Sequence, residues 1–126
     1  MRGVVTAVCL FIVMLIGIVL TQQLIIRTSD CIIEEINVLK ENVNKEDWDR
    51  VDESEEKLEQ DWEKGEKWIA MLVDHEELDL IMTTVAALKE YKKYREVPEL
   101  MAEISTLEKL IEHIPHKEAP ILENIF

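Results

Sequence analysis

The stretch from Val4 to Leu20, VVTAVCLFIVMLIGIVL, limits what this chain can become more than any other. It runs for seventeen residues without a charged side chain, and Thr6 supplies its single hydroxyl. At about 1.5 Å of rise per residue, such a helix covers roughly 26 Å of the ~30 Å hydrocarbon core of a bilayer. Thr21 or slight thinning of the bilayer supplies the rest. A single transmembrane helix over residues 1–27 is the expectation, with everything after it in water. A cleaved secretory signal also begins with an apolar run behind a residue such as Arg2. Cleavage needs small residues just beyond the run, whereas Thr21-Gln22-Gln23-Leu24-Ile25-Ile26-Arg27 follows and no alanine occurs between Ala7 and Ala70. The helix is therefore expected to stay as an anchor. A lipoprotein reading through Cys9 fails because the run follows that cysteine instead of preceding it. Arg2 and the N-terminal amine on one side oppose Arg27, Lys40 and Lys45 on the other, so counting basic residues does not orient the helix. The order of short basic N-terminus, apolar run and folded domain is that of a signal-anchor. It predicts the cell membrane, a cytoplasmic N-terminus and an extracytoplasmic domain.

Beyond Arg27 the character reverses. All 27 acidic residues of the chain lie there against 12 of its 14 basic ones, a formal charge of −15 on residues 28–126. Such a surface repels nucleic acid and anionic lipid, and suits a basic partner or a bound cation. Ninety-nine residues suffice for one domain with a modest core. Cys9 and Cys31 stand 22 positions apart on what reads as one helix, about 33 Å, so they cannot bridge each other.

The periodicity predicts an all-α fold in which the transmembrane helix continues into an antiparallel four-helix bundle. Ile25, Ile32 and Leu39, with Ile36 and Val43, keep a seven-residue spacing, and no glycine or proline occurs from Thr21 to Asn44. Asn44 with Asp47 reads as the N-cap of a second helix running to about Leu72. Its heptad positions are Trp48, Glu55, Trp62 and Ile69, alternating with Val51, Leu58, Gly65 and Leu72. Gly65 is expected to admit a bulky neighbour such as Trp68 or Tyr91, and Glu53 with Lys57 is expected to pair along the exposed face. Asp74 and Glu77 read as a capping box for a third helix through Leu78, Ile81, Val85 and Leu88 to Tyr91 and Tyr94. Pro98 suits the first turn of a fourth helix, which Pro115 is expected to stop near His113. The apolar tail, Ile121, Leu122, Ile125 and Phe126, is expected to fold back on the bundle. Short connections make successive helices antiparallel, so the end of the second helix returns toward the bilayer and the end of the fourth comes to the same pole.

That pole collects His75, His113 and His116 with Asp74, Glu76, Glu77, Asp79, Glu112 and Glu118. Imidazole and carboxylate are ligands that zinc accepts, which makes the three histidines metal candidates. Capping by the Asp74 to Glu77 run and a favourable helix dipole at His113 account for the same residues without any metal. The segment His75 to Asp79, HEELD, lacks the second histidine of a zinc-hydrolase HExxH. No catalytic triad, glycine-rich phosphate loop or CxxC is present, so neither catalysis nor a cofactor is indicated. Trp48 and Trp62 lie on the seam as core. Trp68, off the seam near the membrane end, is placed to meet a headgroup or a partner. Together with the acidic pole and Tyr91 it forms the candidate contact surface.

Several short runs carry a resemblance: Trp68-Ile69, Asp74-His75-Glu76-Glu77-Leu78-Asp79, Leu88-Lys89-Glu90-Tyr91, Ile111-Glu112-His113-Ile114 and Leu122-Glu123-Asn124-Ile125-Phe126. In order and spacing they resemble the small bacterial family known as domain of unknown function 4363, found in Gram-positive spore formers. The resemblance covers essentially the whole chain. It implies a membrane-anchored accessory protein and carries over no catalytic residue. The expected function is that of a non-enzymatic, single-pass protein whose bundle binds or scaffolds another membrane protein, with a second copy of the chain as a further possible partner. The alternative is a divalent-metal sensor or carrier using the histidine pole.

Overall fold

The computed structural model describes the backbone of residues 1–125 and the side chains of residues 1–115. Four helices account for it, and no strand occurs among the described residues: α1 (Arg2–Asn44), α2 (Trp48–Leu72), α3 (His75–Lys93) and α4 (Val97–Ile125). Connections of three, two and three residues join them, too short for anything but antiparallel neighbours.

α1 is one continuous helix of 43 residues with two characters. From Val4 to Leu20 its large apolar side chains stand exposed apart from a half-buried Leu15, and this is the one described helix long and apolar enough to cross a membrane. From Ile25 onward a stripe is buried, Ile25, Ser29, Ile32, Ile36, Leu39 and Val43, in alternating steps of four and three, with Glu35 and Asn42 buried beside it. That alternation keeps a single line of side chains facing the neighbouring helices. The other helices bury the same kind of stripe: Val51, Glu55, Leu58, Gly65 and Ile69 on α2; Leu78, Ile81 and Leu88 on α3; Leu100, Ile104, Leu107, Ile111 and Ile114 on α4. Most of the heptad positions read from the sequence are buried, but Trp48 and Trp62, the two tryptophans expected in the core, and Leu72 of α2 are only half-buried.

The α1–α2 and α3–α4 turns are built alike. In the first, Glu46 adopts φ 53° and the Asp47 N–H donates to the Asn42 carbonyl; in the second, Arg95 adopts φ 55° and the Glu96 N–H donates to the Tyr91 carbonyl. Both are helix C-termini closed by one left-handed residue, which satisfies carbonyls the helix leaves open. The Arg95 guanidinium lies over the Trp48 ring, 5.4 Å from its centroid, and ties the two turns together.

Four details differ from the sequence reading. Asn44 ends α1, and the cap of α2 is Asp47, whose carboxylate accepts from the Arg50 N–H at 3.4 Å. The left-handed turn at Glu46 uses up the residues that a cap at Asn44 would have needed. Lys57 reaches across to Glu35 of α1 at 3.8 Å. The neighbour that uses the gap at Gly65 is Thr28 of α1: a Cβ built on Gly65 would stand 2.6 Å from the Thr28 Cγ2. Finally, α4 continues through Pro115. A proline inside a helix costs about 3 kcal/mol, but a helical Ile114 beside it stays in line with the buried stripe at 1 % exposed, and such burial returns about 1.5–3 kcal/mol. The expectations for His116, Glu118 and the tail's apolar side chains fall outside the described side chains.

Candidate functional site

The seams of the bundle are not equivalent. α1 packs along both α2 and α4, and α3 packs along α4, while α2 and α3 make no comparable contact. Small residues explain the tight α1–α2 seam, because Gly65 sits directly against Thr28. Further up this seam the Asn42 amide donates to the Ser54 hydroxyl at 2.6 Å.

Across the open α2–α3 seam, long charged side chains span the distance instead. Lys92 of α3 pairs with Glu55 and, at 3.0 Å, with Asp52; Lys89 pairs with Glu59. Glu55 occupies a heptad position and is only 5 % exposed, so its carboxylate depends on Lys92 for a partner. Burial alone would lower the Lys92 ammonium, but its hydrogen bonds with Glu55 and Asp52 outweigh that and hold it above the ordinary lysine range.

Below these pairs the seam opens into a cavity of about 310 Å³. Ile32 of α1 with Leu107 and Ile111 of α4 form the floor; Leu58 and Trp62 of α2 and Ile81, Val85 and Leu88 of α3 form the walls. The rim carries Glu59, Glu63 and Glu66 on one side and Met82 and Lys89 on the other. An apolar slot of this volume with a few charged groups at its mouth has the size and chemistry of a binding site. Trp62, only half-buried, belongs to this wall.

The residues singled out in the sequence distribute as follows. The α1–α2 register, Thr28 beside Gly65 and Glu35 beside Lys57, continues to place the end of α2 level with Leu20 and Thr21, where the apolar run stops. Trp68 and Met71 near that end are 56 % and 78 % exposed. Asp74, His75, Glu76 and Asp79 follow on the exposed first turns of α3, with Glu77 half-buried. Asp74 bounds α3 through its backbone carbonyl, which accepts from the Glu77 and Leu78 N–H groups, and its carboxylate accepts no capping hydrogen bond, so the capping box is not formed at Asp74. The cavity sets Ile81 and Val85 beside Leu107 and Ile111, which carries Glu112 and His113, both exposed, toward the level of Leu78 and the same end of the bundle. Tyr91 does not belong with them. It lies sixteen residues beyond His75 on one uninterrupted helix, about 24 Å away, and packs half-buried near the α3–α4 turn.

Among the described residues, the group of three metal-type ligand atoms that the fold assembles contains no histidine: it consists of Cys31, Glu35 and Asp61. The sequence reading missed it because Asp61 is thirty positions from Cys31 and only the α1–α2 register brings them together. The signal available was Cys31 and Glu35 four apart on one helix, opposite an acidic position of the next.

A family model described as a domain of unknown function, DUF4363, matches residues 19–125. Comparison with curated proteins and with solved structures yields no match. The matched segment starts at the end of the apolar run and takes in the whole bundle, with both turns and the cavity. The chain belongs to the DUF4363 family.

Proposed function

We propose that this protein is a non-catalytic membrane-tethered adaptor: the apolar half of α1 anchors it, with the N-terminus in the cytoplasm, and the acidic bundle outside receives a neighbouring membrane protein. The observation that carries this reading is the unclosed α2–α3 seam, an apolar slot rimmed by Glu59, Glu63 and Glu66 on a domain of formal charge −15. The chemistry that fits it is one amphipathic helix with an apolar face for the slot and lysine or arginine flanks for the rim. Trp68 and Met71 are also exposed near the anchor end of α2, on a face that points away from the slot.

A photo-crosslinking side chain at Met82, on the rim, is compared in native membranes with the same side chain at Val38, an exposed position of α1 that does not line the cavity. The reading expects one defined adduct from Met82 alone, mapping by mass spectrometry to a basic amphipathic segment of a membrane protein. Equal labelling from both positions, or an adduct to acidic or unstructured sequence, overturns it. Labelling of single cysteines by a membrane-impermeant reagent in intact cells checks the orientation, with reaction at position 38 and none at position 2 as the expected result.

A further inference from the structure

The α1–α2 seam contains a second assembly that the adaptor reading does not use. Cys31 and Glu35 stand four apart on α1 and so share a face, and Asp61 of α2 stands opposite. The Cys31 Sγ and one carboxylate oxygen from each acid all lie within 4.8 Å of one another. Glu35 is only 8 % exposed, and both its carboxylate oxygens are buried without a hydrogen-bond partner. Its nearest cation, the Lys57 ammonium, is 3.8 Å from Oε1, beyond hydrogen-bond reach, and is itself largely in solvent. Burial pushes the Glu35 carboxyl up to about 7; the Asp61 carboxylate, close enough to share a proton with it, adds to that by hydrogen bonding and by charge, against the opposing pull of Lys57. The Cys31 thiol is likewise held above its ordinary range, by burial first and then by Glu35 and Asp61.

A buried carboxylate with no donor is costly to keep, and two acids beside a thiol compound the cost. A divalent cation at the centre of the three would reverse the sign of every one of these interactions. We propose that Cys31, Glu35 and Asp61 form a three-ligand site for a thiophilic divalent cation of the zinc class. In a tetrahedral zinc site, with Zn–S near 2.3 Å and Zn–O near 2.0 Å, sulfur and oxygen ligands stand about 3.5 Å apart. The three ligand atoms, now within 4.8 Å of one another, would have to draw together to reach this. The thiolate selects zinc or cobalt over calcium and magnesium, which prefer all-oxygen sites. Cys31 is exposed, so the fourth position faces water, and an exchangeable ligand can occupy it. A cation here would also clamp α1 to α2 beside the tight Thr28–Gly65 contact.

The test uses the full chain in detergent micelles, with Cys9→Ser as background, titrated with Co²⁺. The expected result is one equivalent bound with a sulfur-to-cobalt charge-transfer band and visible bands of tetrahedral cobalt, displaced by Zn²⁺. Cys31→Ser should abolish the charge-transfer band, and Asp61→Asn and Glu35→Gln should each weaken binding by more than about tenfold, since loss of an outer-shell partner alone costs 10- to 100-fold. His75→Ala should change nothing. Absence of the band, its survival at full affinity in Asp61→Asn, or its loss in His75→Ala overturns the proposal. So does binding that persists in Cys31→Ser, which would mean ordinary attraction to surface carboxylates. Circular dichroism of each variant shows whether the helices remain; if Glu35→Gln loses them, Cys31→Ser and Asp61→Asn, at less buried positions, decide the matter.

Discussion

α2 takes part in two seams, and they are built on opposite principles. Toward α1 it presents Gly65 against Thr28, so the backbones come close and the apolar stripe closes over. Toward α3 it presents Glu55, Glu59 and Trp62, and the helices stand far enough apart that Lys89 and Lys92 bridge them while a cavity of about 310 Å³ remains beneath. Both seams use the same heptad. The difference shows that helix separation depends on the volume and charge at a few heptad and flanking positions more than on the apolar stripe itself.

Substitutions that break or sharpen this contrast can be ranked by expected effect, read as denaturant unfolding of the full chain in detergent with a chelator present. Ile36, fully buried at the centre of the closed side, should lose about 3 kcal/mol when replaced by alanine, because packed neighbours cannot collapse into the gap. Gly65→Leu should cost about 2 to 3 kcal/mol by wedging α2 away from α1. Placing Gly65→Ala on a Thr28→Ala background should be neutral or stabilising by up to ~1 kcal/mol, since the clashing methyl is gone and alanine favours helix. If Gly65→Leu is silent, close approach is not what closes that seam.

On the open side, Lys92→Met should cost about 2 kcal/mol by leaving Glu55 buried without a partner, while Glu55→Leu combined with Lys92→Met should recover most of it. Glu35 gives a pH signature that belongs to the closed seam alone. Its folded pKa of about 7 lies above the ordinary 4.5, so the folded state holds the proton more firmly. That contribution is complete below 4.5 and is lost as pH rises through 7. Wild type should therefore fall relative to Glu35→Gln between pH 5 and 8 by on the order of 1 to 2 kcal/mol; parallel pH profiles would contradict a carboxyl held protonated by burial. Smallest of all, Met82→Ala at the rim, 59 % exposed, should stay within about 0.5 kcal/mol of wild type while altering any ligand that fills the slot.

Helix number, helix order and the buried stripe were legible because each rests on local rules. An apolar run of seventeen residues needs a helix to satisfy its backbone in lipid, and heptads from Ile25 to Val43 or from Leu100 to Ile114 bury the same face in any antiparallel bundle. Helix ends were less legible, as Asn44 and Pro115 show: a left-handed turn at Glu46 moved one cap, and burial of Ile114 carried α4 past a residue that alone would stop it. The grouping of side chains from different helices was decided by tertiary structure only. Periodicity says which face of a helix is inward, but which residue of the next helix stands opposite depends on turn geometry and on where small residues let backbones approach. For that reason Thr28 instead of Trp68 meets Gly65, Tyr91 lies far from His75, and Cys31 and Glu35 find Asp61 across thirty residues of chain.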